Sequence, residues 1–309
     1  MSTVKIKSSV AEKTRNRIRS RGADRALYIF IYIVMVLFML VTVLPMLNIL
    51  ANSLSSGKAV SAGKVLFWPV EFDLMAYRAV FTYRNFLSGL RNSVLYTAAG
   101  SFITLVMMML TAYPLSRYEL PFRRVISLLF IFTMYFGGGL IPSYLLMGEL
   151  NLINSPLIMI LPHVPVYQMI VARTYIQSSI PKELLETSVI DGCSDFRYFI
   201  SVVLPLSKPI LAVSTLFFVV GRWNSYFTAH IYLRDPKYHP LQLILRKVLL
   251  MAEVPLSEFA SPEELQLKQS LADLLKYAFI VLAALPMFFV YPLVQKHFVK
   301  GMMLGSLKG

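Results

Sequence analysis

The part of this chain equipped to act on something outside itself is ELLETSVIDGCSDFRYFISVVLP, Glu183 to Pro205, a polar island between two apolar stretches. Its chemistry is recognition by charge and shape. Pro181 suits a first helical turn and Glu183 follows near the positive helix end, so a short helix begins there. Gly192 can take the left-handed conformation that stops it. Ser194 or Asp195 then caps a second short helix through Phe196, Tyr198 and Phe199, which Pro205 breaks. Glu183, Glu186 and Ile190 share one face by three- and four-residue spacing, with Leu184, Leu185, Ser188 and Val189 on the rest. A surface helix with that much apolar area needs a cover. Lipid-surface helices are typically rich in Lys and Arg, whereas this one carries Glu183, Glu186 and Asp191, which points to a groove on a protein.

Other chemistries lack their residues. No Walker-type phosphate loop occurs, so hydrolysis of ATP by that route is excluded for this chain. The apolar segments hold no recurring Ser/His/Asp, paired-carboxylate or metal-ligand spacing. Cys193 is the single cysteine, which rules out an intrachain disulfide and gives no metal cluster.

The elements that must position the island are membrane spans. Apolar residues fill 57% of the 309 positions and charged residues only 15%, a balance foreign to soluble domains. Crossing the roughly 30 Å hydrocarbon layer takes about 20 helical residues. Six segments meet that length: 26–48, 93–115, 125–147, 154–176, 204–224 and 276–295. These are continuous apolar runs, not the alternating ten-residue strands of a barrel, so an all-α polytopic membrane protein with six transmembrane helices is expected. The first run exceeds a signal-peptide core and no small-residue cleavage site follows it, so it reads as a retained helix.

The net charge of +14 is concentrated in Lys5, Lys7, Lys13, Arg15, Arg17, Arg19, Arg21 and Arg25, directly before the first span. That placement is a topological anchor rather than a nucleic-acid site. A cytoplasmic basic tail, 1–25, is therefore expected ahead of a membrane domain, 26–300, with a second cytoplasmic tail at 301–309. The loop with Arg117, Arg123 and Arg124 and the coupling segment 181–205 then fall inside, and residues 49–92, 148–153 and 225–275 outside. Lys58, Lys64, Arg78, Arg84 and Arg91 in an outer loop weaken the bias. In the 225–275 loop, Leu241, Leu243, Ile244, Leu245, Val248 and Leu249 have helical spacing, and Ser261, Pro262 and Glu264 read as the start of a second helix. The first helix could face a partner or lie as a lid on its own bundle.

The span centres contain no Asp, Glu or Lys, and Arg173 and Lys208 lie near ends from which they can snorkel. His163 is the one titratable side chain placed well inside a span, and it reads as a structural helix histidine. A self-powered secondary transporter of a small neutral solute would normally carry internal carboxylates or histidines. A conduit without them is driven from outside the bilayer. Neutral polar residues such as Thr104, Tyr144 and Gln168 serve either interhelical hydrogen bonds or a cavity for a hydroxyl-rich solute. Gly137, Gly138 and Gly139, followed by Pro142, allow either close packing or an unwound turn in the third span.

Glu186-Thr187-Ser188, Asp191-Gly192-Cys193, and Val202, Leu204 and Pro205 have the spacing of the EAA loop of ABC importer permeases, and the island resembles that loop. Arg91 to Arg117 is similar to the second-span region of sugar permeases, FVKGMMLGSLKG to the tail of the maltose-permease branch, and Arg222 to Arg246 to a subgroup associated with complex saccharides, including uronate polymers such as alginate. The resemblance implies the type I ABC importer (MetI-like) fold with a cytoplasmic coupling helix, in a bacterial inner membrane. It implies three kinds of partner: a second permease, a dimer of ATP-binding subunits that holds ATP and Mg, and an extracytoplasmic solute-binding protein. This chain would bind no cofactor itself. Glu183, Glu186, Thr187, Ser188, Asp191, Gly192, Phe196, Leu204 and Pro205 would form the ATPase contact, with Glu186 as the docking glutamate. The tail Gly305, Ser306, Leu307, Lys308 and Gly309 would reach between the ATPase subunits. No solute ligands are implied, since in maltose-type relatives the partner permease can hold the sugar alone.

Overall fold

The computed structural model describes residues 22–83, 85–253, 275–290 and 292. The basic tail before Gly22, the Ser261 helix start and the 301–309 tail lie outside them. In chain order the helices are α1 (Gly22–Ser53), α2 (Gly57–Ser61), α3 (Met75–Thr82), α4 (Phe86–Ser116), α5 (Arg123–Tyr135), α6 (Leu140–Glu149), α7 (Val166–Ser179), α8 (Lys182–Ile190), α9 (Asp195–Tyr198), α10 (Leu204–Leu206), α11 (Lys208–Trp223), α12 (Phe227–Tyr232), α13 (Leu241–Glu253) and α14 (Leu275–Val290). The only strand pairing among the described residues is a bridge between Ser55 and Phe72.

Two of the six expected spans, α1 and α4, are single helices long and apolar enough to cross a membrane. The sixth is described as one apolar helix, α14, over 275–290, and the third, fourth and fifth depart from a straight rod for local reasons. The third is broken at Phe136–Gly139, with α5 and α6 meeting at 109°. Gly139 has φ of 87°, and neither Gly137 nor Gly139 has a neighbour within 4 Å of a built Cβ. The glycines therefore serve an unwound turn and not close packing. The fourth is a 3-10 turn, Pro156–Met159, and a non-helical stretch before α7 begins. Pro162 and Pro165 remove backbone donors there, so His163 is not in a helix as expected. The fifth begins at Lys208 and not at Leu204. Pro205 does not break the second short helix, because α9 runs on through a π-turn, Phe199–Val203, into α10. The chain turns instead at buried Ser207, by 78°.

Helix α4 is the axis against which α7, α11 and α13 pack. It is uncharged from Asn92 to Ser116, and Ser93, Thr97, Gly100, Ser101 and Thr104 let neighbours approach its backbone. One core joins Met108, Met109 and Ala112 of α4 to Met169, Ala172 and Ile176 of α7, and to Phe199, Val203, Ile210 and Phe218. A second joins Phe86, Trp223, Ile244 and Phe279, where the Trp223 indole N–H donates to Ala283 O at 2.9 Å.

Helix α13 is a lid on its own bundle: Leu241, Leu243, Ile244 and Val248 are buried. The segment before it is fastened to α4. Asn92 donates to Lys237 O at 2.8 Å, Tyr96 OH to Tyr238 O at 3.0 Å, and the Leu241 N–H to Ser93 Oγ at 2.8 Å. His239, 4% exposed, sits between Leu233 O and Lys247 Nζ, both at 3.2 Å. An ammonium only donates, so Nδ1 accepts and the ring is neutral with its proton on Nε2. Burial, and then the Lys247 charge, hold its pKa below the ordinary histidine value. A depressed value favours the fold above the unfolded-state pKa, near 6.5, and that contribution is lost as pH falls through the folded-state value. Acidification from pH 7 to pH 5 is expected to loosen the 233–248 region, read as faster amide exchange there. In His239→Gln the acid-induced increase should disappear.

Candidate functional site

The coupling segment is built onto the end of α4. Pro181 is the residue that caps α8 rather than its first helical position, and Glu183 occupies the first turn. At the other end the Gly192 N–H bonds to Val189 O at 3.0 Å and the Cys193 N–H to Ser188 O at 2.9 Å, with Gly192 at φ 68°. This paired closure is a Schellman motif, which needs a left-handed residue at that place. Ser194 then caps α9, its Oγ accepting from the Arg197 N–H.

No residue of α8 is buried. Leu185 and Cys193 turn toward the α4–α7 core, while Glu183, Glu186, Thr187, Asp191, Gly192 and Phe196 are exposed; Ser188 and Leu204 are half-buried and Pro205 is exposed. Val189 is 63% and Ile190 85% exposed, so an acidic and apolar surface stands uncovered. Thr187 donates its hydroxyl to Glu183 O at 2.8 Å and Ser188 to Leu185 O at 2.7 Å. With their hydroxyls satisfied within the helix, both residues present a surface close to that of alanine.

Residues that the sequence reading passed over hold this segment in place. Arg117, just after α4, donates Nη1 to Asp195 Oδ1 and to Tyr113 OH, and Nε to Glu119 Oε2, all at 3.2 Å. Glu119 is held below the usual carboxylate range by its own backbone N–H and then by Arg117. Lys182 and Arg123 both lie on the Tyr118 ring, at 4.4 and 4.6 Å from its centre. Gln177 of α7 donates to Ser116 O at 3.0 Å. Arg117 was legible only as a topological charge, because its partners lie two and 78 residues away in sequence.

A second site is a cavity of about 280 Å³ lined by Tyr96, Met147, Ile158, Met159, Leu161, His163, Arg222, Ser225, Thr228 and Tyr232. Arg222 corrects the expectation that His163 alone carries a titratable group inside a span. Its guanidinium turns inward from the end of α11, donating to Thr104 Oγ1 at 2.8 Å and to Met159 O, with His163 Nδ1 at 3.4 Å.

Residues 86–304 match the family described as the binding-protein-dependent transport system inner membrane component. The chain belongs to this family. The permease is 36% identical over 294 residues to the polygalacturonan/rhamnogalacturonan transport system permease protein YtcP of Bacillus subtilis, covering 93% of this chain and 99% of that one. It is also 36% identical over 270 residues to protein LplC of the same organism, covering 87% and 90%. Among solved structures, a bacterial ABC transporter involved in the import of the acidic polysaccharide alginate has a chain that superposes with a TM-score of 0.81 at 32% identity, covering 90% of the permease and 99% of that chain. The protein is thus a membrane permease subunit of ABC type with the expected fold.

In the permease the Gly192 turn is a sharp local requirement. Forcing a side chain into the left-handed region costs about 1 kcal/mol. Gly192→Ala is expected to raise hydrogen exchange about fivefold at the amides of residues 191–193; unchanged exchange would show that the turn does not need glycine.

Proposed function

We propose that this permease carries oligosaccharides inward as one half of a permease pair, driven by a dimer of ATP-binding subunits that holds ATP and Mg. An extracytoplasmic solute-binding protein delivers the solute. The observation that carries this reading is α8: an exposed acidic and apolar helix, closed at its C-terminal end by the Gly192 turn and held at the end of α4 by Lys182 on Tyr118 and, through α9, by Arg117 and Asp195. Such a helix moves as a rigid body with the bundle, which is what transmission of ATPase motion requires.

Glu186 is the docking glutamate, opposite a cation on the ATPase, with Glu183, Thr187, Ser188, Asp191, Gly192 and Phe196 around it and Leu204 and Pro205 supporting the return to α11. The Gly305, Ser306, Leu307, Lys308 and Gly309 tail reaches between the ATPase subunits. In this reading the amino terminus, α8 and the carboxyl terminus lie in the cytoplasm of a bacterial cell, which the positive charge of the basic tail supports. The names of the similar proteins favour uronate-containing oligosaccharides, fragments of pectin- or alginate-like polymers, as the solute class.

Removing one partner of a buried charge contact typically costs about 2 to 5 kcal/mol. In proteoliposomes holding the assembled transporter, Glu186→Lys is expected to lower ATP-dependent saccharide uptake and ATPase stimulation by at least about tenfold. Glu183→Lys, on the same face but outside the docking position, should cost much less. Equal and negligible effects would remove the coupling role from α8.

A further inference from the structure

We propose that Arg222 selects the solute: its guanidinium gives the cavity a fixed positive charge that binds a carboxylate of an acidic saccharide in transit. This rests on the carbohydrate-import reading and adds to it a site within this chain.

A guanidinium inside an apolar bundle is costly unless something pairs with it. Among the described residues the ion pairs are those of Arg117 with Glu119 and Asp195 and of Lys237 with Asp235. Arg222 has no carboxylate partner there. Its contacts are neutral acceptors, Thr104 Oγ1, Met159 O and His163 Nδ1. They aim the group without cancelling its charge. Gly100 completes the cradle: a Cβ on it would stand 2.6 Å from Arg222 Nη1, so the guanidinium lies directly on the α4 backbone.

A guanidinium has five N–H donors in a planar fork. Both Nη2 hydrogens and one Nη1 hydrogen are engaged here, which leaves Nε–H and the second Nη1 hydrogen, on different edges of the group, for a ligand. One N–H, aimed by the fixed contacts and backed by the guanidinium charge, makes a charge-assisted hydrogen bond to a carboxylate. The same cavity carries the hydroxyl-bearing Ser225, Thr228 and Tyr232, suited to sugar hydroxyls. Its volume, about 280 Å³, is near the lower end for small-ligand pockets, roughly 300 Å³. It therefore suits one or two sugar units rather than a long chain. An arginine remains charged at any physiological pH, so it cannot relay a proton as a self-powered transporter would need.

The test uses the complete transporter in proteoliposomes with ATP, its solute-binding protein, and labelled di-galacturonate as probe. Arg222→Gln should lower uptake about tenfold or more, the effect of losing roughly 1.4 kcal/mol of a charge-assisted contact, while the loaded binding protein still stimulates the ATPase. Arg222→Lys should be intermediate, keeping charge but losing the contacts that aim it. Gly100→Ala should also lower uptake, since the new methyl displaces the guanidinium without removing it. Unchanged uptake in Arg222→Gln overturns the inference. So does equal loss of uptake, ATPase stimulation and assembly in both arginine variants, which would mark Arg222 as a packing pin. A wild-type transporter that carries only neutral saccharides overturns it while leaving the import reading intact; one that carries no saccharide overturns both.

Discussion

Helix α4, continuous from Phe86 to Ser116 with a single missing donor at Pro114, is the constraint from which the rest of the permease follows. In lipid every backbone N–H and C=O has to be satisfied within the protein, so the longest continuous helix of the packed bundle is its stiffest part. Its first half holds the 236–241 segment through Asn92, Ser93 and Tyr96. Its middle carries Gly100 and Thr104 under Arg222. Its end holds the coupling segment through Arg117. From Thr104 to Arg117 is 13 residues, about 20 Å of helix.

Around this rod the chain is deliberately irregular. The breaks at Gly139, at the prolines flanking His163, and at Ser207 each sit between apolar helices. Irregular backbone at depth survives only where protein or water satisfies it. The break before α7 does this visibly: Met159 O, at the end of the 3-10 turn, takes its hydrogen bond from Arg222. The same contact that orients the guanidinium therefore satisfies one carbonyl at the break of the fourth span. Stiff and broken elements have different tasks, since the bend at Ser207 sets the α9–α10 arm at 78° to α11 while α4 holds both ends of the bundle.

The coupling segment shows how a short helix can be exposed and still be rigid. Its apolar residues are left for another surface, so its order has to come from its ends: the Schellman closure at Gly192, the Ser194 cap, and the Lys182–Tyr118 and Arg117–Asp195 contacts. Exposed ion pairs alone contribute little, about 0 to 1 kcal/mol. Here one guanidinium serves three acceptors at once, and Leu185 and Cys193 add packing against the core.

By itself the sequence determined the helical class, the polar island with its glycine stop, the amphipathic face of α13 and the family, because these depend on composition, period and spacing over neighbouring residues. Gly192 was legible since a left-handed turn favours one residue type, and Leu241, Leu243, Ile244 and Val248 since burial leaves a helical period. The tertiary structure alone decided where the spans break, that α13 closes onto its own bundle, and that Arg117 and Arg222 are anchored. Both arginines meet partners dozens of residues distant, and nothing in local spacing distinguishes a charge that snorkels to water from one turned inward by a glycine and a threonine on another helix.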